Sequence, residues 1–188
     1  MCEQSNRRAG RLRRVWALAG ALLAGCILSV QVANAAGLPQ DSPACLREME
    51  VAIQDIAAQR YDNAVAVVQR HAGEGCAQAQ LFLGLMYVEA DGVPQDCAKG
   101  IGLVQSLADR FYGDAQLFLG RLHEHGRCRN KDIVAAYQWY AIAASHPLES
   151  PSRVAARDLR INKQTLLSDT EIERGDAAAI GWWKSRWK

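Results

Sequence analysis

Between residues 45 and 146 apolar side chains recur at helical spacing. Leu46, Met49, Ile53 and Ile56 mark a first amphipathic stretch. Ala79, Phe82, Leu83, Met86 and Tyr87 fall at i, i+3, i+4, i+7 and i+8, one face of a helix. Ile101, Val104, Leu107 and Ala108 do the same for the next stretch, and Gly92-Val93-Pro94-Gln95-Asp96 between them reads as a loop ending in an N-cap. His146-Pro147-Leu148-Glu149-Ser150-Pro151 then breaks the pattern, with Ser150 placed to cap a helix whose first residue is Pro151. Ser168 and Glu171 form a capping box for a last helix. The pattern predicts about eight helices in antiparallel pairs and no strand.

The pattern is also written twice. Ala79-Gln80-Leu81-Phe82-Leu83-Gly84 returns as Ala115-Gln116-Leu117-Phe118-Leu119-Gly120, 36 residues on. At that offset Asp96 meets Asp132, Gly100 meets Ala136, Leu103 meets Trp139 and Ala108 meets Ala144. A partial unit precedes them, with Ala64 on Gly100, Val67 on Leu103 and Ala72 on Ala108. A helical hairpin cannot bury both its faces alone, so stacked hairpins share a core and atypical end helices close it. Gly84 and Gly120 lie inside helices, where glycine costs about 1 kcal/mol against alanine, which predicts that a neighbouring backbone comes close there.

Three stretches carry a family resemblance: Ala-Gln-x-x-Leu-Gly-x-x-Tyr at 79–87, Gly92-Val93-x-x-Asp96-x-x-Lys99, and Ala136-x-x-Trp139-x-x-x-Ala143-Ala144. They resemble the Sel-one-like repeat family, 36-residue relatives of tetratricopeptide repeats. The resemblance implies an all-α, right-handed α-solenoid of stacked antiparallel helical hairpins with a C-terminal capping helix pair. It assigns structural repeat roles to Ala79, Gly84, Tyr87, Asp96, Ala115, Gly120, Asp132 and Trp139. It implies a scaffold whose partners are proteins, with the first helix of each unit lining a concave side. The second unit departs from the pattern: His123 replaces the tyrosine, Cys128 the loop glycine and Arg129 the valine. The expected domain is 45–188, divided into a partial repeat 45–76, repeats 77–112 and 113–148, and a cap 150–188, after a short linker 36–44.

The front of the chain has a different composition. Arg7, Arg8, Arg11, Arg13 and Arg14 stand against Glu3, then Val15 to Val32 is uncharged, and Ala33-Asn34-Ala35 follows. A basic start, an apolar run and small-x-small describe a signal peptide over 1–35. Periplasmic location follows as the expectation. Leu23-Ala24-Gly25-Cys26 resembles a lipobox, so a lipoprotein anchored through Cys26 is the alternative, and secretion is another. Without the leader the formal charge changes from +2 to −2, which removes any general attraction to nucleic acid. A membrane contact is expected only through the possible anchor at Cys26.

Four cysteines remain: Cys45, Cys76, Cys97 and Cys128. An even count in an exported chain favours disulfides, with three possible connectivities. Cys45 starts one helix and the chain runs out and back to Cys76, so both lie at one end of the stack. The next helix carries the chain roughly 20 Å away, which puts Cys97 and Cys128 at the other end. A disulfide needs Cα atoms within about 7 Å, so the expected pairs are Cys45–Cys76 and Cys97–Cys128.

Enzyme chemistry finds little support, since neither a phosphate-binding glycine loop nor a nucleophile elbow is present. His123-Glu124-His125 has the wrong spacing for a helical metal pair, because residues two apart point away from each other, and His123 and His71 read as packing histidines. No catalytic residue, metal or cofactor is expected; a small envelope hydrolase, or a surface or secreted factor touching a host protein, are the other function classes. Candidate partner-binding residues are Gln78, Leu81, Leu85 and Glu89 on one first helix, and Leu117, Arg121 and Glu124 on the next. In the tail Gly-Trp-Trp-Lys-Ser-Arg-Trp-Lys, Ile180, Trp183 and Trp187 share a helical face that seals the stack or contacts a partner.

Overall fold

The computed structural model describes residues 41–146 and 150–186; the expected leader, Cys26 and Trp187 lie outside the described residues. Among the described residues there are eight helices and no strand: α1 (Pro43–Ala57), α2 (Tyr61–Gly73), α3 (Ala77–Glu89), α4 (Cys97–Asp109), α5 (Gly113–His125), α6 (Ile133–Ala144), α7 (Pro151–Gln164) and α8 (Asp169–Arg186).

Local chemistry sets most of the starts. Ser42 accepts from the Cys45 amide at 3.1 Å with Pro43 in the first turn, and Ser150 accepts from the Arg153 amide at 3.2 Å ahead of Pro151. Asp96 and Asp132 cap α4 and α6 by accepting from Lys99 and Ala135. The Ser168 amide donates to Glu171 at 2.9 Å, one half of the capping box. Helix α3 is different. Its N-cap residue is Cys76, which supplies no cap, and the orphan amides of Ala77 and Gln78 donate instead to the carboxylate of Asp41, at 2.6 and 3.0 Å. The carboxylate also suits the positive end of the helix dipole.

From α1 to α7 each helix packs on the next, with α1 touching α3 and α5 touching α7 across the stack. This is an α-solenoid of helical hairpins. One core cluster joins Met49, Ala52, Val68, Ala79 and Met86; a second joins Leu81, Val88, Val104, Leu119 and Ile142. Helix α3 belongs to both, so it is buried on more than the one face its spacing marks: Ala77, Leu81, Gly84 and Val88 are buried as well as Ala79 and Met86. The last two helices pair loosely. Helix α8 packs chiefly on α6 rather than folding back on α7. Tyr137 of α6 fixes it, lying against Gly175 and donating from its hydroxyl to Asp176 at 2.9 Å.

The 36-residue period extends to backbone conformation. Gly75 and Phe111, Ala90 and Gly126, and Gly92 and Cys128 are three pairs at that offset, and all six residues have positive φ. The loop containing Cys128 therefore keeps the conformation of the glycine loop before it, at φ 55° against 69°. Both disulfides form as the topology requires, Cys45–Cys76 with Cα atoms 6.6 Å apart and Cys97–Cys128 at 5.4 Å.

Candidate interaction surface

The repeated side chains are occupied in holding the stack. Gln80 donates to the Ala72 carbonyl at 3.2 Å and Gln116 to the Ala108 carbonyl at 3.2 Å, so each ties its helix to the end of the preceding one. The amides of Asp96 and Asp132 donate to the carbonyls of Tyr87 and His123, closing the two loops in the same way. Ala79, Ala115 and Trp139 are buried, and Lys99 lies over the Tyr87 ring at 5.5 Å. A Cβ on Gly84 would stand 2.8 Å from Val104 Cγ2, and one on Gly120 would enter the Tyr140 ring.

Two surface hollows lie along α1, α3 and α5. Leu81, Leu85, Asp114, Leu117, Phe118 and Arg121 line a hollow of ≈ 190 Å³ between α3 and α5. A second, of ≈ 420 Å³, lies between α1 and α3, lined by Leu46, Glu50, Ile53, Gln54 and Gln78. Both use α3 as a wall. Of the expected contact residues, Gln78, Leu85, Leu117 and Arg121 border these hollows, with Arg121 exposed. Leu81 borders one but is itself 8% exposed, a core residue with one edge showing.

Two other expected contacts are paired within the chain, Glu89 at the surface and Glu124 mostly buried. Glu89 pairs with Arg127 at 2.7 Å. Glu124 accepts from the Tyr140 hydroxyl and from Lys163, both at 2.5 Å, and Lys163 is 7% exposed. Burial works against the Glu124 carboxylate, but the bonds from Lys163 and Tyr140 outweigh it and hold its pKa below the ordinary glutamate value. Burial, and then the bond to Glu124, push the Tyr140 hydroxyl pKa up. The far end of α5 is thus covered by α7.

The tail does not present the face its spacing marks. Gly175, Ala179 and Trp182 are buried, while Ile180 is 53% exposed. Trp182 meets Trp139 and Phe111 edge-on, and Trp183 stacks on Phe111 at 5.5 Å. Trp183 is half-buried packing rather than an open contact. Leu46 and Ile53 were legible only as an apolar stripe, and nothing in their spacing separates the groove side from the core side; Met49 is the member that is fully buried.

Both histidines are packed. His71 is 3% exposed, its Nδ1 is 2.8 Å from Glu74, and its Nε2 is 3.3 Å from Glu48. His123 is half-buried against Arg129, and burial, then that guanidinium, lower its pKa. Among the described residues no group of three His, Cys, Asp or Glu side chains is placed to hold a metal ion.

The Sel1 repeat model matches residues 77–110 and 113–147. A structural neighbour is a protective antigen present in uropathogenic Escherichia coli strains that displays an SLR fold, with a TM-score of 0.61 and 17% identity, covering 74% of this chain. This chain spans 30% of that antigen's length. A Sel1 repeat protein from Oxalobacter formigenes aligns at 26% identity over 63% of this chain and 88% of its own, with a TM-score of 0.46. No curated protein matches the sequence. Two Sel1 repeats, at 77–110 and 113–147, thus lie within a helical stack that is similar to the SLR fold.

Proposed function

We propose that the chain is an exported repeat scaffold that holds protein partners in the bacterial cell envelope, through the face made by α1, α3 and α5. Sel1-repeat proteins are in general scaffolds for protein–protein interaction. One observation carries the assignment of the face: the repeat residues are committed to the stack, whereas two adjoining hollows with apolar floors stay open on either side of α3. Leu85, Leu117 and Phe118 would take apolar side chains of a partner, with Glu50, Asp114 and Arg121 as a charged rim. Export is supported by the basic, then apolar, then small-x-small order of residues 1–35. The two disulfides support an oxidising compartment.

A photo-crosslinking amino acid placed at Leu85 or Leu117 tests the face, with Ala178 on α8 as the control. Envelope fractions should give one discrete adduct from the first two positions, and Leu117→Arg should abolish the Leu85 adduct without changing the melting temperature. Equal adducts from Ala178 would refute the assignment. N-terminal sequencing of the envelope form tests export: a start at Ala36 supports a periplasmic protein, and a lipid-modified Cys26 supports an anchored one.

A further inference from the structure

The two disulfides differ in a way that their common spacing hides. At the far end of the stack, the end where α3 and α5 finish, the first residue of α2 touches a loop residue 31 positions later. That pair is Tyr61 and Gly92. A Cβ on Gly92 would stand 2.5 Å from Tyr61 Cβ and 2.8 Å from its Cγ, and the Tyr61 hydroxyl donates to Asp91 at 3.2 Å. Moving 36 residues along, Tyr61 becomes Cys97 and Gly92 becomes Cys128. The same junction is closed once by a tyrosine lying on a glycine and once by a covalent bond.

The covalent version has a built-in reason to open. Gly92 adopts φ 69° freely, because it has no side chain. Cys128 holds φ 55°, a region that L side chains rarely adopt, with the bond to Cys97 to keep it there. Other bonds of the loop run back to its own helix, from Gly126 and Arg127 to Leu122, from Asp132 to His123 and between Arg129 and His123; its ion pair to α3, Arg127–Glu89, is 59% and 30% exposed and so contributes weakly. Access differs too. Cys45 is 1% and Cys76 7% exposed, within the first core cluster, whereas Cys97 and Cys128 are only half-buried.

We propose that Cys97–Cys128 is a redox-sensitive clasp, opened by an external dithiol while Cys45–Cys76 stays closed, and that its opening frees the loop 126–132. A thiolate of the dithiol attacks one sulfur of the clasp and forms a mixed disulfide. The second sulfur of the dithiol then displaces the protein. The reductant leaves as its own disulfide, two electrons poorer, and the two protons end on Cys97 and Cys128. Cys128 then relaxes out of the positive-φ region, and the far end of α5 loses its tie to α4.

Dithiothreitol titration of the native chain, with alkylation and mass spectrometry, reads which cysteines open. Cys97 and Cys128 should label at roughly tenfold lower dithiol than Cys45 and Cys76. Amide exchange in 126–132 should rise on the order of tenfold in the half-reduced protein, with 43–73 unchanged. Joint opening of both bonds, opening of Cys45–Cys76 first, or unchanged exchange in 126–132 would each overturn the proposal. A graft gives a second reading: Cys97→Tyr with Cys128→Gly rebuilds the preceding junction. Its loop exchange should match that of the oxidised chain and ignore dithiothreitol, whereas Cys97→Ala with Cys128→Ala should exchange as fast as the reduced chain. Slow exchange in the alanine pair would equally overturn it.

Discussion

Gly84 and Gly100 face each other across the α3–α4 hairpin, each standing where the other's Cβ would go. A Cβ on Gly100 would lie 2.7 Å from the Gly84 carbonyl oxygen, and a Cβ on Gly84 would lie 3.1 Å from the Gly100 oxygen. The following hairpin solves the same approach differently. Ala136 takes the place of Gly100, and the Tyr140 ring takes the place of Val104, so Gly120 faces a flat ring instead of a backbone.

Gly84→Leu should therefore destabilise the fold by about 1–3 kcal/mol, since the added side chain must force the two helices apart. Thermal unfolding checks this, with a midpoint fall of several degrees expected for a domain of this size. Gly102 lies on α4 with open space around it, so Gly102→Ala should leave the midpoint unchanged or raise it. A Gly84→Leu protein that melts with the wild type would remove the close-approach account.

The pair Glu124–Lys163 gives the second prediction. Lys163 comes from α7 into a site where it is 7% exposed, and Glu124 has the Tyr140 hydroxyl as its other partner. Lys163→Ala leaves a mostly buried carboxylate without its cation, which should cost about 3 kcal/mol in urea unfolding. Adding Glu124→Gln to that change should recover much of the loss, because a neutral amide needs no counter-charge there. If the double variant is no more stable than Lys163→Ala, the ion pair is not what holds α7.

His123 makes stability depend on pH in a direction that its surroundings fix. Burial and Arg129 lower its pKa in the folded state, with Asp132 opposing them, so the unfolded chain binds the proton more readily. The stabilising contribution is complete above the unfolded value of about 6.5 and is lost as pH falls through the lower folded value. Between pH 7.5 and 5.5 the wild type should lose up to about 1 kcal/mol relative to His123→Tyr, the residue that Tyr87 supplies in the preceding unit. Parallel urea titrations of the two proteins decide it; identical pH profiles would remove His123 from the account.

The period of 36 made the hairpins, the capped starts of α4 and α6 and the cysteine pairs legible, because each is set by residues within one unit or its neighbour; Ser150 and Pro151 marked the start of α7 by local capping chemistry alone, and the Cys128 loop, which departs from the repeat pattern, was not legible. What the sequence did not reveal depends on partners chosen across the stack. Asp41 caps α3 from 36 residues away, and no local motif marks it. Glu124 reads as a surface glutamate until Lys163 arrives from α7. In the tail, Trp182 and Trp183 are neighbours that could each head a buried face. The choice falls on Trp182 because α8 lies on α6, where Gly175 clears the Tyr137 ring and Ala179 follows one turn later. The groove residues Leu46 and Ile53 share their stripe with Met49, so periodicity alone could not separate contact from core.

Trp182 supplies the last prediction, because it makes α8 part of the fold. Its ring meets Trp139 of α6 at 6.0 Å and Phe111 at 5.7 Å, and the Arg186 guanidinium lies over it at 4.3 Å while pairing with Asp109. Phe111 occupies the positive-φ position that Gly75 fills one unit earlier, an unfavourable place for a bulky residue unless packing compensates. The tryptophans provide that packing, so the strained turn between α4 and α5 and the closing helix depend on each other. Trp182→Ala should cost about 3–5 kcal/mol by leaving a cavity among these rings. Phe111→Gly alone should cost less, since it trades lost packing for a relaxed backbone. In the Trp182→Ala background Phe111→Gly should cost less still, because one of its two tryptophan partners is gone. A double-mutant cycle by chemical unfolding measures this coupling directly. Strictly additive costs would mean that Trp182 seals the stack without supporting the Phe111 turn.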